Sequence, residues 1–206
     1  MVESLHAMAQ LTLNTEANVT ALVSLRESLK NEFDLTYTDL LVKAVALALR
    51  KHPRLNASVI SQEIHLHADV HIGVAVALDD GLIVPVVRAA DRKALKEIAQ
   101  ENRVLAERAR SGKLTPDDVS GGTFTLTNLG NFGIDSFTPI INPPQAAILG
   151  IGRIVERIAR RGADLVWQQV MTLSLTFDHR VIDGAPAAAF LQTVCEFLAS
   201  PETLIQ

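Results

Sequence analysis

The sequence predicts an α/β fold, and three observations carry that expectation. Runs with apolar residues at helical spacing, near 19–30, 39–51, 91–110 and 185–198, are interleaved with strand-like runs near 11–15, 56–88, 121–127 and 154–177. Turn residues fall at the borders of these runs, as at Asp79-Asp-Gly81, Ser111-Gly112 and Asn128-Leu-Gly130. The 206 residues are 48% hydrophobic, enough to bury a substantial core, and no repeat or low-complexity segment divides them.

Taken in order, residues 1–10 read as a short helix and Leu11-Thr-Leu-Asn-Thr15 alternates like a strand. A helix over Val19–Lys30 places Leu22, Val23, Leu25 and Leu29 among polar residues. A second helix is expected to start after Thr38 as N-cap and to run through Leu49 until His52-Pro53 stops it; so apolar an element should be buried on most sides. Residues 56–88 read as successive strands, with Val70–Leu78 and Leu82–Val87 forming a hairpin around Asp79-Asp-Gly81. Pro85 cannot donate to a ladder and so marks an edge, bulge or break. Asp91–Arg110 is rich in helix formers, with Leu95, Ile98, Ala99 and Leu105 on one side and solvated charges on the others. Gly121-Gly-Thr-Phe-Thr-Leu-Thr127 reads as a strand opened by two glycines, and Ile154–Ile158 with Leu165–Phe177 as a hairpin around Arg160–Asp164. Ala187, Phe190, Leu191, Val194, Phe197 and Leu198 trace the buried side of a last helix. On pattern alone, Pro201–Ile205 would fray.

The composition excludes several function classes. A formal charge of -4 without a basic block gives no footprint for nucleic acid. A single cysteine, Cys195, rules out an intramolecular disulfide, and its place in the apolar C-terminal helix pattern makes it a small buried residue rather than a reactive thiol. No apolar run reaches membrane-spanning length and the first residues lack the pattern of a signal peptide, so the expected place is the cytoplasm or, in a eukaryote, the mitochondrial matrix. His65, His67 and His71 would share one face of a continuous strand, which invites a metal reading; Ala68-Asp69 breaks that pairing, and no metal is expected.

The chemistry concentrates in Phe177-Asp-His-Arg-Val-Ile-Asp-Gly184. An imidazole at the end of a strand, with the carboxylate of Asp183 one helical turn later, is placed for proton transfer near neutral pH, so His179 is the candidate general base. An isolated histidine on an apolar stretch is more often structural, and here the surrounding residues tip the balance. Asp178-His-Arg-Val-Ile-Asp-Gly-Ala185 resembles the active-site signature of the 2-oxo acid dehydrogenase acyltransferases, the dihydrolipoamide acyltransferase cores of the pyruvate dehydrogenase type. Gly81-Leu-Ile-Val-Pro85, Gly121–Asn128 and Ile141-Asn-Pro-Pro-Gln145 resemble further motifs of that family in the same order, so the resemblance spans nearly the whole chain.

The resemblance implies a two-layer sandwich of mixed sheet and helices like that of chloramphenicol acetyltransferase. It implies acyl transfer between a dihydrolipoyl arm, carried on a separate domain, and coenzyme A. Thr127 stands where the family carries a hydroxyl for the oxyanion; Thr36 lies in a segment similar to one that contributes to coenzyme A binding, and Thr127 and Asn128 are placed at the same ligand. Simple turn chemistry is the competing reading of Thr36, and shaping the turn that of Asn128. Asp183 is expected to orient local structure through an arginine or backbone amides. The implied partners are a homotrimer built into a cubic or dodecahedral core, a lipoyl domain, and the 2-oxo acid decarboxylase and dihydrolipoamide dehydrogenase components; Pro201–Ile205 resembles the tail that joins neighbouring trimers. Residues 1–206 contain no lipoyl or peripheral-subunit-binding domain, so the expectation is an isolated catalytic core. Gly184-Ala185 and Gly130–Ile134 resemble acetyl or branched-chain members and Thr127 is shared with succinyl members, a balance that favours acetyl. A chloramphenicol-type enzyme fits less well, because 4% aromatic residues offer few rings for a drug. A non-catalytic structural core and a coenzyme A-binding regulator are the remaining alternatives.

Overall fold

A computed structural model describes residues 2–79 and 81–205. The elements run α1 (Val2–Ala7), β1 (Gln10–Asn18), α2 (Thr20–Leu29), α3 (Tyr37–Lys51), β2 (Ala57–Ile60), β3 (Glu63–Leu66), β4 (Ile72–Val74), β5 (Val76–Leu78), β6 (Gly81–Ile83), β7 (Val86–Val87), α4 (Leu95–Arg110), β8 (Phe124–Asn128), β9 (Ala147–Arg161), β10 (Asp164–Asp178) and α5 (Gly184–Ala199). A six-stranded sheet has the order β1-β10-β9-β8-β4-β7. β8 is parallel to β4 and β9, while β1, β10 and β9 are mutually antiparallel neighbours, so the sheet is mixed as expected.

Side-chain alternation divides the sheet into two faces. Phe124, Leu126, Leu149, Ile151, Leu173, Leu175 and Phe177 are buried in the common core with residues of α3, α4 and α5. Thr125, Thr127, Ile148, Ser174 and Thr176 alternate with them and belong to the other face, which the segment 130–146 crosses as a strap. The strap lies very close: a Cβ on Gly150 would sit 2.9 Å from the Phe137 ring, and one on Gly152 only 1.9 Å from the Asp135 carbonyl oxygen. Glycine is required there because backbone and strap occupy the space of a side chain.

Several boundaries differ from the sequence expectation, each for a local reason. α3 is capped by Thr36, two residues before the expected Thr38: the Asp39 N–H donates to Thr36 Oγ1, and the Asp39 carboxylate accepts from the Thr36 N–H, closing a capping box. α4 begins at Leu95 rather than near Asp91; the preceding turn is fastened by the buried Lys43, whose Nζ donates to the carbonyls of Asp91 (3.3 Å) and Lys93 (2.7 Å). Burial pushes the Lys43 ammonium below its usual pKa, with Asp91 and Glu97 acting in the opposite sense. The hairpin at 70–87 splits: β4 and β7 pair inside the sheet, β5 and β6 form a separate ribbon, and Pro85 stands in the break, its carbonyl accepting from the Val74 N–H at 2.9 Å. Asp80 of its turn lies outside the described residues. β9 extends well beyond its expected hairpin arm, whereas β10 keeps the expected limits to within one residue at each end. The tail does not fray, because residues 201–205 form a 3₁₀ turn with Pro201 and Leu204 buried. Cys195 is only half-buried, and burial still pushes its thiol pKa up.

Candidate active site

His179 follows the last residue of β10, and two contacts from the start of β1 hold its loop. The His179 N–H donates to the Ala9 carbonyl at 2.8 Å, and the Ala9 N–H donates to Asp178 Oδ1 at 3.3 Å. Asp178 is fully buried, and Arg180 folds back onto it, its Nε 3.0 Å from each carboxylate oxygen and its Nη2 2.5 Å from Oδ2. Burial pushes the Asp178 carboxyl up, but the hydrogen bonds and charge of Arg180 outweigh burial and leave it below its ordinary pKa. The imidazole itself is about half exposed, with its ring centroid 5.9 Å from that of Phe177. Asp183, the exposed N-cap of α5, approaches it with Oδ1 3.7 Å from Nδ1, beyond hydrogen-bond range. Among the described residues of one chain Asp183 pairs with no arginine: Arg180 serves Asp178, and Asp183 faces the imidazole. The role of the Asp178–Arg180 pair was missed in the sequence, although opposite charges two apart at a strand end signal it.

Thr127 lies on β8, at the centre of the sheet, and lines a cavity of about 250 Å³. Its floor includes Thr125 and Ile148; the strap residues Phe137, Pro139 and Ile140 cover it, and Val84 closes one side. Thr125 donates its hydroxyl to Gln145 Oε1 at 2.6 Å. Among the described residues the Thr127 hydroxyl makes no such bond, so it stands as a donor beside an apolar chamber. Next to it, Asn128 accepts the Gly130 N–H at 2.9 Å, which is the turn-shaping expectation, and its Nδ2 donates to Thr38 Oγ1 at 3.2 Å. The N-terminus of α3, with Thr36, therefore meets the end of β8. The Thr36 hydroxyl donates to Asp39 Oδ2 at 2.6 Å, the turn chemistry of a cap.

One chain does not bring His179 and Thr127 together. Thr127 is level with Gly150, and Gly150 with Ser174, so the two residues lie two strands apart, with His179 five residues further along. At about 4.8 Å between strands and about 3.3 Å per residue, that is roughly 10 Å across and roughly 16 Å along, close to 20 Å between backbones. His179 is not part of the cavity lining.

Two of the three histidines of the metal reading have separate partners. His67 Nε2 lies 2.8 Å from Ser58 Oγ, and His71 Nδ1 accepts from the Ala89 N–H at 3.0 Å. Burial, then the neighbouring His71 and His65, push the His67 pKa down. Among the described residues no group of three His, Cys, Asp or Glu could hold a metal ion, and no helix is long and apolar enough to cross a membrane.

A family model described as 2-oxoacid dehydrogenases acyltransferase (catalytic domain) matches residues 1–206. The chain belongs to this acyltransferase family. It is 44% identical, over its whole length and 53% of the relative, to the dihydrolipoyllysine-residue acetyltransferase component of the acetoin cleaving system of Bacillus subtilis (strain 168). It is 38% identical, over its whole length and 52% of the relative, to the succinyltransferase component of the 2-oxoglutarate dehydrogenase complex of Haemophilus influenzae. The chain thus spans about half the length of the curated relatives it matches. Among solved structures, Azotobacter vinelandii dihydrolipoamide acetyltransferase, studied for the role of a serine, a histidine and an asparagine in catalysis, aligns with TM-score 0.96 at 36% identity over 100% of this chain and 87% of that one. The cubic core of the pyruvate dehydrogenase multienzyme complex aligns with TM-score 0.96 at 37% identity, again over 100% and 87%. Chloramphenicol acetyltransferase, at TM-score 0.61 and 15% identity over 92% and 88%, shares the fold of this acyltransferase domain.

Proposed function

We propose that this domain transfers an acyl group, acetyl first, between a dihydrolipoyl arm and coenzyme A at a site shared by two copies of the chain. One observation carries this reading: the exposed imidazole of His179 and the cavity hydroxyl of Thr127 lie too far apart in one chain to act on one carbonyl. In the Azotobacter vinelandii enzyme the serine, histidine and asparagine are separated by 52 and 4 positions. Thr127, His179 and Asp183 have the same separations, which supports carrying those roles to them. A homotrimer is the proposed unit, within a larger core that works with a lipoyl domain on a separate segment and with decarboxylase and dihydrolipoamide dehydrogenase components. The proposed location is the cytoplasm or the mitochondrial matrix.

In the proposed reaction His179 removes the proton from the coenzyme A thiol, because a free thiol is mostly protonated at neutral pH. The thiolate forms a carbon–sulfur bond to the thioester carbonyl of the acylated arm, and Thr127 of the adjoining copy donates to the oxygen as it becomes negative. Collapse of the intermediate breaks the bond to the dihydrolipoyl sulfur, and the imidazolium returns its proton to that sulfur. Asp183, with Oδ1 3.7 Å from Nδ1, is the proposed orienting neighbour of the ring. Thr36, Thr127 and Asn128 form the proposed coenzyme A contact where α3 meets β8.

The test compares initial rates with free dihydrolipoamide and acetyl-, succinyl- or isobutyryl-coenzyme A in wild type and His179→Ala. Loss of the base is expected to lower kcat by about 100-fold or more. Equal turnover in both proteins would remove His179 from the mechanism; a preference for succinyl or isobutyryl would reassign the acyl group. An active species with the mass of one chain in light scattering would overturn the shared site, and a correctly assembled protein without turnover would leave only a structural core.

A further inference from the structure

The cavity wall and the base loop are fastened to the same short piece of chain. Ile141 lies between Ile140 and Asn142, two residues of the Thr127 cavity. It is fully buried and outside any strand, so no ladder supplies partners for its N–H and C=O. Two side chains supply them instead. The Ile141 N–H donates to Gln10 Oε1 at 3.2 Å, Gln10 Nε2 donates to Ser4 Oγ at 2.9 Å, and Ser4 Oγ donates to the Ile141 carbonyl at 2.7 Å. The ring is closed, and it dictates the orientation of every member. Ser4 has one hydrogen; once that goes to Ile141, the oxygen must accept from Gln10, which fixes the Gln10 amide with its oxygen toward Ile141. The other neighbour of the Ser4 hydroxyl, Met8 Sδ at 3.8 Å, is a weaker acceptor.

The same segment holds the His179 loop. Gln10 is in register with Asp178, and Ala9 exchanges bonds with the His179 N–H and the Asp178 carboxylate. We propose that Gln10, assisted by Ser4, is a positioning residue for acyl transfer: it keeps the Ile140–Asn142 wall of the Thr127 cavity in fixed register with the His179 loop. This rests on the function proposed above. Since that site is shared between copies, the wall and the loop tied by one Gln10 serve neighbouring sites.

The experiment uses the assembled protein and the transfer assay described above, with Gln10→Ala, Ser4→Ala, the double variant and Gln10→Glu. Opening the ring is expected to lower kcat by about tenfold or more while KM for coenzyme A stays within about twofold, because a slight misplacement of reacting groups costs rate before it costs binding. The pH dependence of kcat should keep its wild-type midpoint, and exchange of the Ile141 amide should accelerate. The double variant should be no slower than Gln10→Ala, as either change breaks one ring. Gln10→Glu, whose carboxylate still accepts from Ile141, should recover part of the rate. An assembled Gln10→Ala protein with wild-type kcat overturns the positioning role. If that variant does not assemble, Ser4→Ala, which leaves β1 unchanged, decides by the same criterion. Wild-type turnover in His179→Ala would instead overturn the reading of the reaction, so the two failures are distinct.

Discussion

Replacing Arg180 by methionine isolates what holds the base loop in place. The Asp178 carboxylate, with no exposed surface, receives Nε and Nη2 of Arg180 together with the backbone N–H groups of Arg180 (3.1 Å) and Ala9 (3.3 Å). Methionine keeps most of the apolar stem and removes the charged donors, leaving the two amides. Breaking a fully buried ion pair costs about 3–5 kcal/mol. Here the Arg180 side chain is 48% exposed, so water already screens the pair, and the amides still satisfy part of the carboxylate. A loss of about 2–3 kcal/mol at pH 7 follows, or roughly 5–10 °C in Tm for a chain of this size. The pH dependence gives the sharper signature. In the wild type the Asp178 pKa is depressed, so its contribution is present above the ordinary aspartate range and lost as pH falls through the folded value. In Arg180→Met burial is opposed only by the two amides, so the pKa rises above the wild-type value, which penalises the variant at neutral pH and relieves it as pH falls toward about 4. The gap between the proteins should therefore narrow on acidification. Urea unfolding at pH 7 and pH 4, at one protein concentration because assembly contributes to stability, measures it. A gap of unchanged size at the two pH values would refute the assignment of Arg180 as the group that keeps Asp178 ionised.

Two further substitutions probe the hydroxyls. Thr127→Val keeps the side-chain shape but removes the oxyanion donor, and kcat should fall about 100-fold while KM for dihydrolipoamide changes little and KM for coenzyme A rises with the loss of its proposed contact; Thr127→Ser should restore most of the rate. Turnover of Thr127→Val at the wild-type rate would remove the hydroxyl from the mechanism. Thr36→Ala opens the capping box and should cost about 1 kcal/mol in chemical denaturation. The proposed coenzyme A contact adds a rise in KM for that substrate, and an unchanged KM would reduce Thr36 to its capping role.

What was legible in the sequence follows the range of the interactions. The apolar period of α3 and α5 and the alternation Leu173, Leu175, Phe177 announce core elements, because the buried face repeats along the chain. The α3 boundary was also written locally: Thr36 followed three residues later by Asp39 is a capping-box pattern, and it outweighs Thr38, which lacks an acid at that spacing. The need for glycine at 150 and 152 leaves no local sign in the sequence, since the strap that requires them contacts the strand only in the folded chain. The Gln10–Ser4–Ile141 ring joins residues more than a hundred positions apart and leaves no periodic trace. Pro201–Ile205 is too short to show a period, and only its packing onto the body of the protein reveals Leu204 as a core residue.

The separation of the two reacting groups is itself a product of the sheet. β8, β9 and β10 are neighbouring strands joined by ladders, Thr127 to Gly150 and Gly150 to Ser174. A loop movement could bring two loops together, but here Thr127 sits within a ladder and His179 is tied by Ala9 to the end of another. Closing roughly 20 Å inside one chain would require breaking strand pairs at the centre of the core. The proposed chemistry must therefore take its second group from outside the chain, and a neighbouring copy is the one source that always carries it. Catalysis and assembly then share a single constraint: a substitution that leaves the fold intact but separates the copies should abolish turnover as completely as loss of the imidazole.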